Sequence, residues 1–300
     1  MSQPDYLFVY GDSYSASKEQ QTDGPLWSEQ LAKAWGLELK SLAVAGASIC
    51  PSPDTTKSDL SKQWKAAVSE ATSSTEKNIH AIFAGITDIV ESKQFDTDTL
   101  LKCIKQQIAS IEQSDLHGDI ILLGVPPLEF SPFYQKNTYQ STIKQRVMNL
   151  NTALEDLSND DPKVTFFDTY SLFGDVLGNP SEFDIRNVDQ AYWDACQGQC
   201  LDSVDSYLWW DKIHMTGAGH KAMANGIVAK NQSQRPVEPV ETVETVEQGT
   251  ASNTVADSDH LRYASWLLLF GIIIGITIFV MRPGSQFRRW LNKPRHYSAV

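Results

Sequence analysis

Five short apolar runs, Tyr6–Tyr10, Leu39–Val44, Ile79–Ala84, Ile120–Val125 and Val164–Phe167, constrain the fold of this chain more than any other feature. Each is rich in β-branched or aromatic residues and reads as a buried strand. Segments between them carry apolar residues at helical spacing, Trp27, Leu31, Ala34 and Trp35 in one and Ile143, Val147, Leu150, Leu154 and Leu157 in another. Strands that alternate with helices imply parallel pairing and right-handed crossovers. The expected fold class is therefore α/β, a three-layer α/β/α sandwich with a central parallel sheet. With 300 residues, 41% of them hydrophobic, the chain can bury a large core, and residues 1–230 suit one such unit. The aromatic residues at helical spacing read as core rather than as a ligand platform.

Two short motifs about two hundred residues apart carry the chemistry. Gly11-Asp12-Ser13 follows the first apolar run directly, and Asp211-Lys212-Ile213-His214 lies near the end of the folded part. A serine hydroxyl holds its proton too tightly to attack at neutral pH, so an imidazole must take that proton and a carboxylate must orient the imidazole. Ser13, His214 and Asp211 supply these three groups. A spacing of three lets Asp211 and His214 come from one loop, and the fold need only bring that loop to the C-terminal end of the first strand, where open α/β sheets place their sites. Taken singly, Gly-Asp-Ser after a strand is also ordinary turn chemistry, and an Asp can simply cap a helix beside a His.

Further segments join these two in order: Val9–Tyr14, Ala43-Val44-Ala45-Gly46-Ala47, Gly85-Ile86-Thr87-Asp88, Gly124-Val125-Pro126-Pro127-Leu128, Phe167–Phe173 and Trp209–His214. Together they resemble the GDSL esterase/lipase family, also called SGNH hydrolases, and within it a fungal branch that includes carbohydrate acetylesterases. The resemblance spans roughly Tyr6 to Ala229. It implies a flavodoxin-like sheet, Ser13 as nucleophile, His214 as general base and acid, Asp211 as its orienting carboxylate, and no cofactor or metal. It also implies an oxyanion hole built from the backbone N–H of Ser13, the backbone N–H of Gly46 and the side-chain amide of an Asn in a Gly-x-Asn-Asp block. Here Thr87 stands in place of that Asn.

One oxyanion donor typically accounts for about 2.7–4 kcal/mol of barrier. A Thr hydroxyl is shorter than an Asn amide, so a weakened or re-aimed hole is expected, with Thr87 as candidate donor. Two departures are smaller. Met215 follows His214 where the family often has Pro, which is expected to loosen that turn. Tyr14 stands where the eponymous Leu would be and is expected to pack neutrally against the first helix. The resemblance favours O-acetyl esters of carbohydrates as substrate. The alternatives are a lipid acyl hydrolase and, from another class, a catalytically weak carbohydrate-binding membrane protein.

After residue 230 the composition changes. Residues 231–262 are acidic and rich in Pro, Thr and Val, with no periodicity that could bury a face, and read as a linker. Residues 263–282 contain an unbroken apolar stretch, Ala264 to Met281, bracketed by Arg262 and Arg282. Its helical length of roughly 27 Å suffices to cross a thin bilayer core, so a single-pass transmembrane helix is expected. Gly271 and Gly275 form a Gly-x-x-x-Gly pair on it, compatible with a weak dimer. The tail 283–300 is basic, which by the positive-inside rule puts it in the cytosol and the hydrolase domain outside. That topology needs a signal peptide, whereas the given sequence opens Met-Ser-Gln-Pro-Asp just before its first strand. Export with a leader upstream is the favoured expectation, and a tail-anchored protein facing the cytosol is the alternative. Cys196 and Cys200 suit a local disulfide in an exported protein, Asn231-Gln-Ser233 is a glycosylation sequon, and Cys50 and Cys103 read as buried thiols. A net charge of −12 and a pI near 4.9 argue against a nucleic-acid partner.

Overall fold

The central sheet consists of β1 (Tyr6–Gly11), β2 (Glu38–Ser41), β3 (Asn78–Phe83), β4 (Gly118–Leu123) and β5 (Val164–Phe167), all parallel, in the order β2-β1-β3-β4-β5. The computed structural model describes residues 6–18, 21–70, 78–197, 199 and 201–234, within the compact unit Met1–Val237. Four of the five strands lie within one or two residues of the predicted runs. The exception is β2, which leaves the sheet at Ser41 although the apolar run continues to Val44. It is an edge strand and only partly buried, so its backbone is free to turn toward the site, still donating from Leu42 N–H to Val9 O and from Val44 N–H to Gly11 O.

Right-handed crossovers decide where the helices go. From β1 to β2 the chain moves one way through α1 (Trp27–Trp35). It then returns through α2 (Leu60–Glu70) to β3 and continues through α3 (Ile86–Glu91), α4 (Thr97–Glu112) and α5 (Gln140–Asn159) in the opposite direction. A reversal of direction with constant handedness puts α1 on one face and α2, α4 and α5 on the other. The packing agrees, since α4 contacts α2 and α5, while α1 and α6 (Thr169–Gly178) both contact α8 (Gly217–Gln234). The sheet therefore lies between two helical layers. Trp27 and Leu31 of α1 and Ile143, Val147, Leu150 and Leu154 of α5 are buried as their spacing predicts. On α1 the neighbouring Ala32 is buried in place of Ala34, which faces solvent.

Outside the predicted pattern lie β6 (Asn187–Ala191), β7 (Tyr207–Trp209) and the short α7 (Tyr192–Cys196) between them. The two strands form a separate parallel pair, Asn187 opposite Tyr207 and Ala191 opposite Trp209. Trp209 is buried and donates its indole N–H to Val188 O at 2.8 Å, locking the pair together.

The cysteines depart from expectation. Cys50 and Cys103 are not buried thiols but a disulfide, with Cα atoms 5.4 Å apart. It joins the loop after β2 to α4, and apolar surroundings alone gave no hint of that juxtaposition. Cys196 is also disulfide-bonded, and Cys200, its sequence-proposed partner, lies outside the described residues. Closing a 53-residue separation stabilises the fold by about 4 kcal/mol in the chain-entropy relation. The double variant Cys50→Ser/Cys103→Ser is expected to melt roughly 10 °C lower than the parent by scanning calorimetry.

Among the described residues no helix is long and apolar enough to cross a membrane. Of the predicted linker 231–262, residues 231–234 instead continue α8, while its remainder, the span 263–282 with Gly271 and Gly275, and the tail 283–300 lie outside the described residues.

Candidate active site

Strand order reverses between β1 and β3, and the crevice of an open α/β sheet opens at such a switch point, beyond the strand C-termini. Residues 12–14 leave β1 there, and α3 begins there after β3. The approach is close enough to demand glycine at Gly11, where φ is +151° and a Cβ would come within 1.9 Å of Phe83 O. Gln63 of α2 satisfies both backbone groups of Gly11, accepting its N–H and donating to its carbonyl, each at 2.8 Å. Beyond it the chain turns tightly, with Ser15 and Ala16 N–H both donating to Asp12 O. Ser13 sits at the tip of this turn, half-buried.

The second half of the site is the loop after β7. Trp209 and Met215 form an antiparallel bridge, and Trp210 N–H donates to His214 O at 2.8 Å, which closes residues 210–214 into a tight turn. Met215 is buried beneath it. The turn is thus held by backbone pairing rather than loosened by the missing proline. Asp211 holds it from inside: Oδ1 accepts from Ile213 N–H at 2.9 Å and His214 N–H at 2.7 Å, and Oδ2 accepts from His214 Nδ1 at 2.7 Å. An Nδ1 that donates to a carboxylate leaves Nε2 as acceptor, and Ser13 Oγ lies 3.0 Å from it across 201 residues of sequence. Burial pushes the Asp211 carboxyl upward, but the hydrogen bonds from the His214 ring and backbone outweigh it and hold the group below its ordinary range.

Tyr14 is not a neutral packing residue. Fully buried, it donates its hydroxyl to Ile213 O, and its ring centre stands 5.6 Å from that of His214. It braces the histidine loop against the serine turn. Its own proton is held well above the ordinary tyrosine range by burial, with Asp12 and Asp211 adding to the effect, so the hydroxyl keeps the proton it donates.

Gly46 lies in the turn after β2, at φ +74°, where Ala47 N–H donates to Val44 O. Thr87 lies in the first turn of α3, which starts from Gly85 at φ +116°, a position where a Cβ would press to 2.6 Å from Leu150 Cδ2. Among the described residues the backbone N–H groups of Ser13 and Gly46 and the Thr87 hydroxyl have no protein hydrogen-bond partner. A donor without a protein partner is available to bond to a ligand.

Beside His214 opens a cavity of about 470 Å³, walled mainly by Val90, Phe133, Tyr134, Trp193 and Ile213. Phe133 and Trp193 stand roughly half exposed, at 47% and 54%. The Phe133 wall is tied to the histidine loop by its N–H donating to Lys212 O at 3.0 Å. Asp194 lines the cavity with them, whereas Asp202 and Asp205 do not. Sequence reasoning missed Phe133 and Trp193, because an aromatic residue in a polar loop reads the same whether or not it borders a cleft. Among the described residues no three His, Cys, Asp or Glu side chains group so as to hold a metal ion.

A parallel sheet whose switch point carries a hydroxyl, an imidazole and a carboxylate in hydrogen-bond sequence defines a hydrolytic enzyme of the α/β class. The chain belongs to the GDSL-like lipase/acylhydrolase family, whose profile matches residues 7–227, and it is a hydrolase of ester bonds. Among solved structures, its fold is similar to a protein from Lactobacillus plantarum at 15% identity, over 79% of this chain and 100% of that one, with a TM-score of 0.51. A carbohydrate acetylesterase from Sinorhizobium meliloti is similar at 12% identity, over 76% and 99%, with a TM-score of 0.50. A member of the lipolytic G-D-S-L family from Veillonella parvula shares 14% identity over 75% and 96%, at a TM-score of 0.49. Comparison of the sequence with curated proteins gives no match.

Proposed function

We propose that the protein is a serine esterase that removes O-acetyl groups from carbohydrates through Ser13, His214 and Asp211. The observation that carries the reading is the unbroken relay from Ser13 Oγ to His214 Nε2 and from His214 Nδ1 to Asp211 Oδ2. In the first step Ser13 Oγ bonds to the acyl carbon while its proton passes to Nε2, and the carbonyl electron pair moves onto oxygen. In this reading the Ser13 N–H, the Gly46 N–H and the Thr87 hydroxyl are the donors to that oxyanion. On collapse the ester C–O bond breaks and the Nε2 proton goes to the departing alcohol. A water then repeats the sequence on the acyl-enzyme, giving up its proton to Nε2, and Ser13 leaves as a hydroxyl with release of the acid.

An acetyl group fills only a small part of a 470 Å³ cavity, so the remainder suits the alcohol side of the ester. Aromatic faces with a few polar groups at the edge, here Phe133 and Trp193 with Asp194 and Lys212, match a sugar ring's apolar face and hydroxyl rim. The fold neighbour named as a carbohydrate acetylesterase supports the same choice. The apolar lining also motivates the second reading, a lipid acyl hydrolase in which the cavity takes an acyl chain. Hydrolysis of p-nitrophenyl esters of increasing chain length separates the two. Turnover highest on acetate and falling with length is expected, and turnover rising with length would replace the first reading by the second. Covalent labelling by a fluorophosphonate is the accompanying check, since a glycan-binding protein without a working relay would remain unlabelled.

Thr87 sets the expected rate. Thr87→Asn is expected to raise kcat on p-nitrophenyl acetate by roughly tenfold or more, because a longer donor reaches the oxyanion position. Unchanged or lower turnover would remove the idea of a weakened hole. In this reading the domain faces an oxidising compartment, tethered by residues 263–282 with the basic tail 283–300 in the cytosol. The Cys50–Cys103 disulfide and the bonded Cys196 support that side.

A further inference from the structure

The three open donors belong to three different elements, the turn after β1, the loop after β2 and the start of α3, and nothing in the relay fixes their mutual distances. Two carboxylates do, one fully and one partly buried. Asp12 is fully buried, its Oδ1 accepting from Tyr14 N–H at 3.3 Å and its Oδ2 from Ile86 N–H at 3.1 Å and Thr87 N–H at 3.4 Å. It thereby binds the serine turn to the first residues of α3. Asp88, one residue beyond Thr87, accepts from Ile49 N–H at 3.0 Å and so binds α3 to the loop that carries Gly46. Among the described residues neither carboxylate has an ion-pair partner.

We propose that Asp12 and Asp88 are positioning residues that lock the N–H of Ser13, the N–H of Gly46 and the Thr87 hydroxyl into one rigid frame around the oxyanion. The proposal rests on the esterase reading and assigns the residues that act through its donors. Only a carboxylate can do what Asp12 does, because it accepts on both oxygens at once, from N–H groups on two elements. An amide would turn one oxygen into an NH₂ facing donors. Burial pushes the Asp12 carboxyl up to about 7 and that of Asp88 to about 6, so keeping these groups inside works against their charge. A fold held only for stability has cheaper solutions at both places.

The test compares kcat and KM on p-nitrophenyl acetate for the full chain and for Asp12→Asn, Asp88→Ala and Thr87→Ala, each normalised to the Ser13 that a fluorophosphonate labels at completion. Asp12→Asn is expected to lower kcat roughly ten- to hundredfold with KM within about twofold, the pattern of donors displaced from the transition state rather than of lost binding. Asp88→Ala, which removes the acceptor for Ile49 N–H at a partly buried position, is expected to lose severalfold and carries the test should Asp12→Asn fail to fold. In a Thr87→Ala background both losses are expected to shrink, since a positioning residue has less to position. Unchanged kcat per labelled serine in the variants, or losses that multiply undiminished with Thr87→Ala, would overturn the positioning role. Absence of turnover in the parent protein would instead overturn the esterase reading itself.

Discussion

Ser13→Ala is expected to lower kcat on p-nitrophenyl acetate by a factor on the order of 10⁶ and to abolish fluorophosphonate labelling, with the fold intact. The substitution removes one hydroxyl from a half-buried turn tip and leaves Asp12, Gln63 and Tyr14 with every hydrogen bond they make. Among the described residues the one bond lost is that to His214 Nε2. Any change in melting temperature is therefore expected to be small, within the few tenths of a kcal/mol of an ordinary surface substitution. Such a variant retains the open donors, so residual hydrolysis somewhat above the uncatalysed rate is expected as well. Turnover within a hundredfold of the parent, in protein free of contaminating esterase, would show that Ser13 is not the attacking group.

The residues legible in advance share one property, that their role is local. β1, β3, β4 and β5 show as apolar runs because most of their residues are buried, and a strand covered on both faces is mainly apolar. β2 is misjudged at its end because none of its residues is fully buried and its composition is not under that demand, and β6, reading Asn-Val-Asp-Gln-Ala, carries no apolar signal. The serine turn and the Asp-x-x-His turn are short enough for their chemistry to appear in a few consecutive residues. What stayed hidden depends on contacts between distant segments. Tyr14 looks like a change of packing residue until its hydroxyl is seen on Ile213 O, 199 positions away. Asp12 looks like turn chemistry until α3 is brought against it. Cys50 and Cys103 look inert until the loop after β2 and α4 are neighbours.

The fate of Asp211→Asn follows from which atom faces which. Asp211 does two jobs with two oxygens, Oδ1 closing the turn through Ile213 and His214 N–H and Oδ2 receiving the imidazole Nδ1–H. An asparagine can keep its carbonyl oxygen on the backbone N–H pair, and the turn then survives, supported by the Trp209–Met215 bridge and by Tyr14. Its NH₂ must then face Nδ1, which can only accept from it by becoming the unprotonated nitrogen. The proton moves to Nε2, and an Nε2–H cannot take the proton of Ser13. A drop in kcat of about 10⁴ with little change in KM is expected, the effect of holding the imidazole in the wrong tautomer. The reverse placement, with the amide on the backbone donors, would open the turn and appear as a lowered melting temperature. Measuring both quantities on one preparation tells the two apart. A large loss of kcat in a protein that melts like its parent assigns the effect to the proton on Nε2, and kcat retained within about tenfold would mean that another group orients His214.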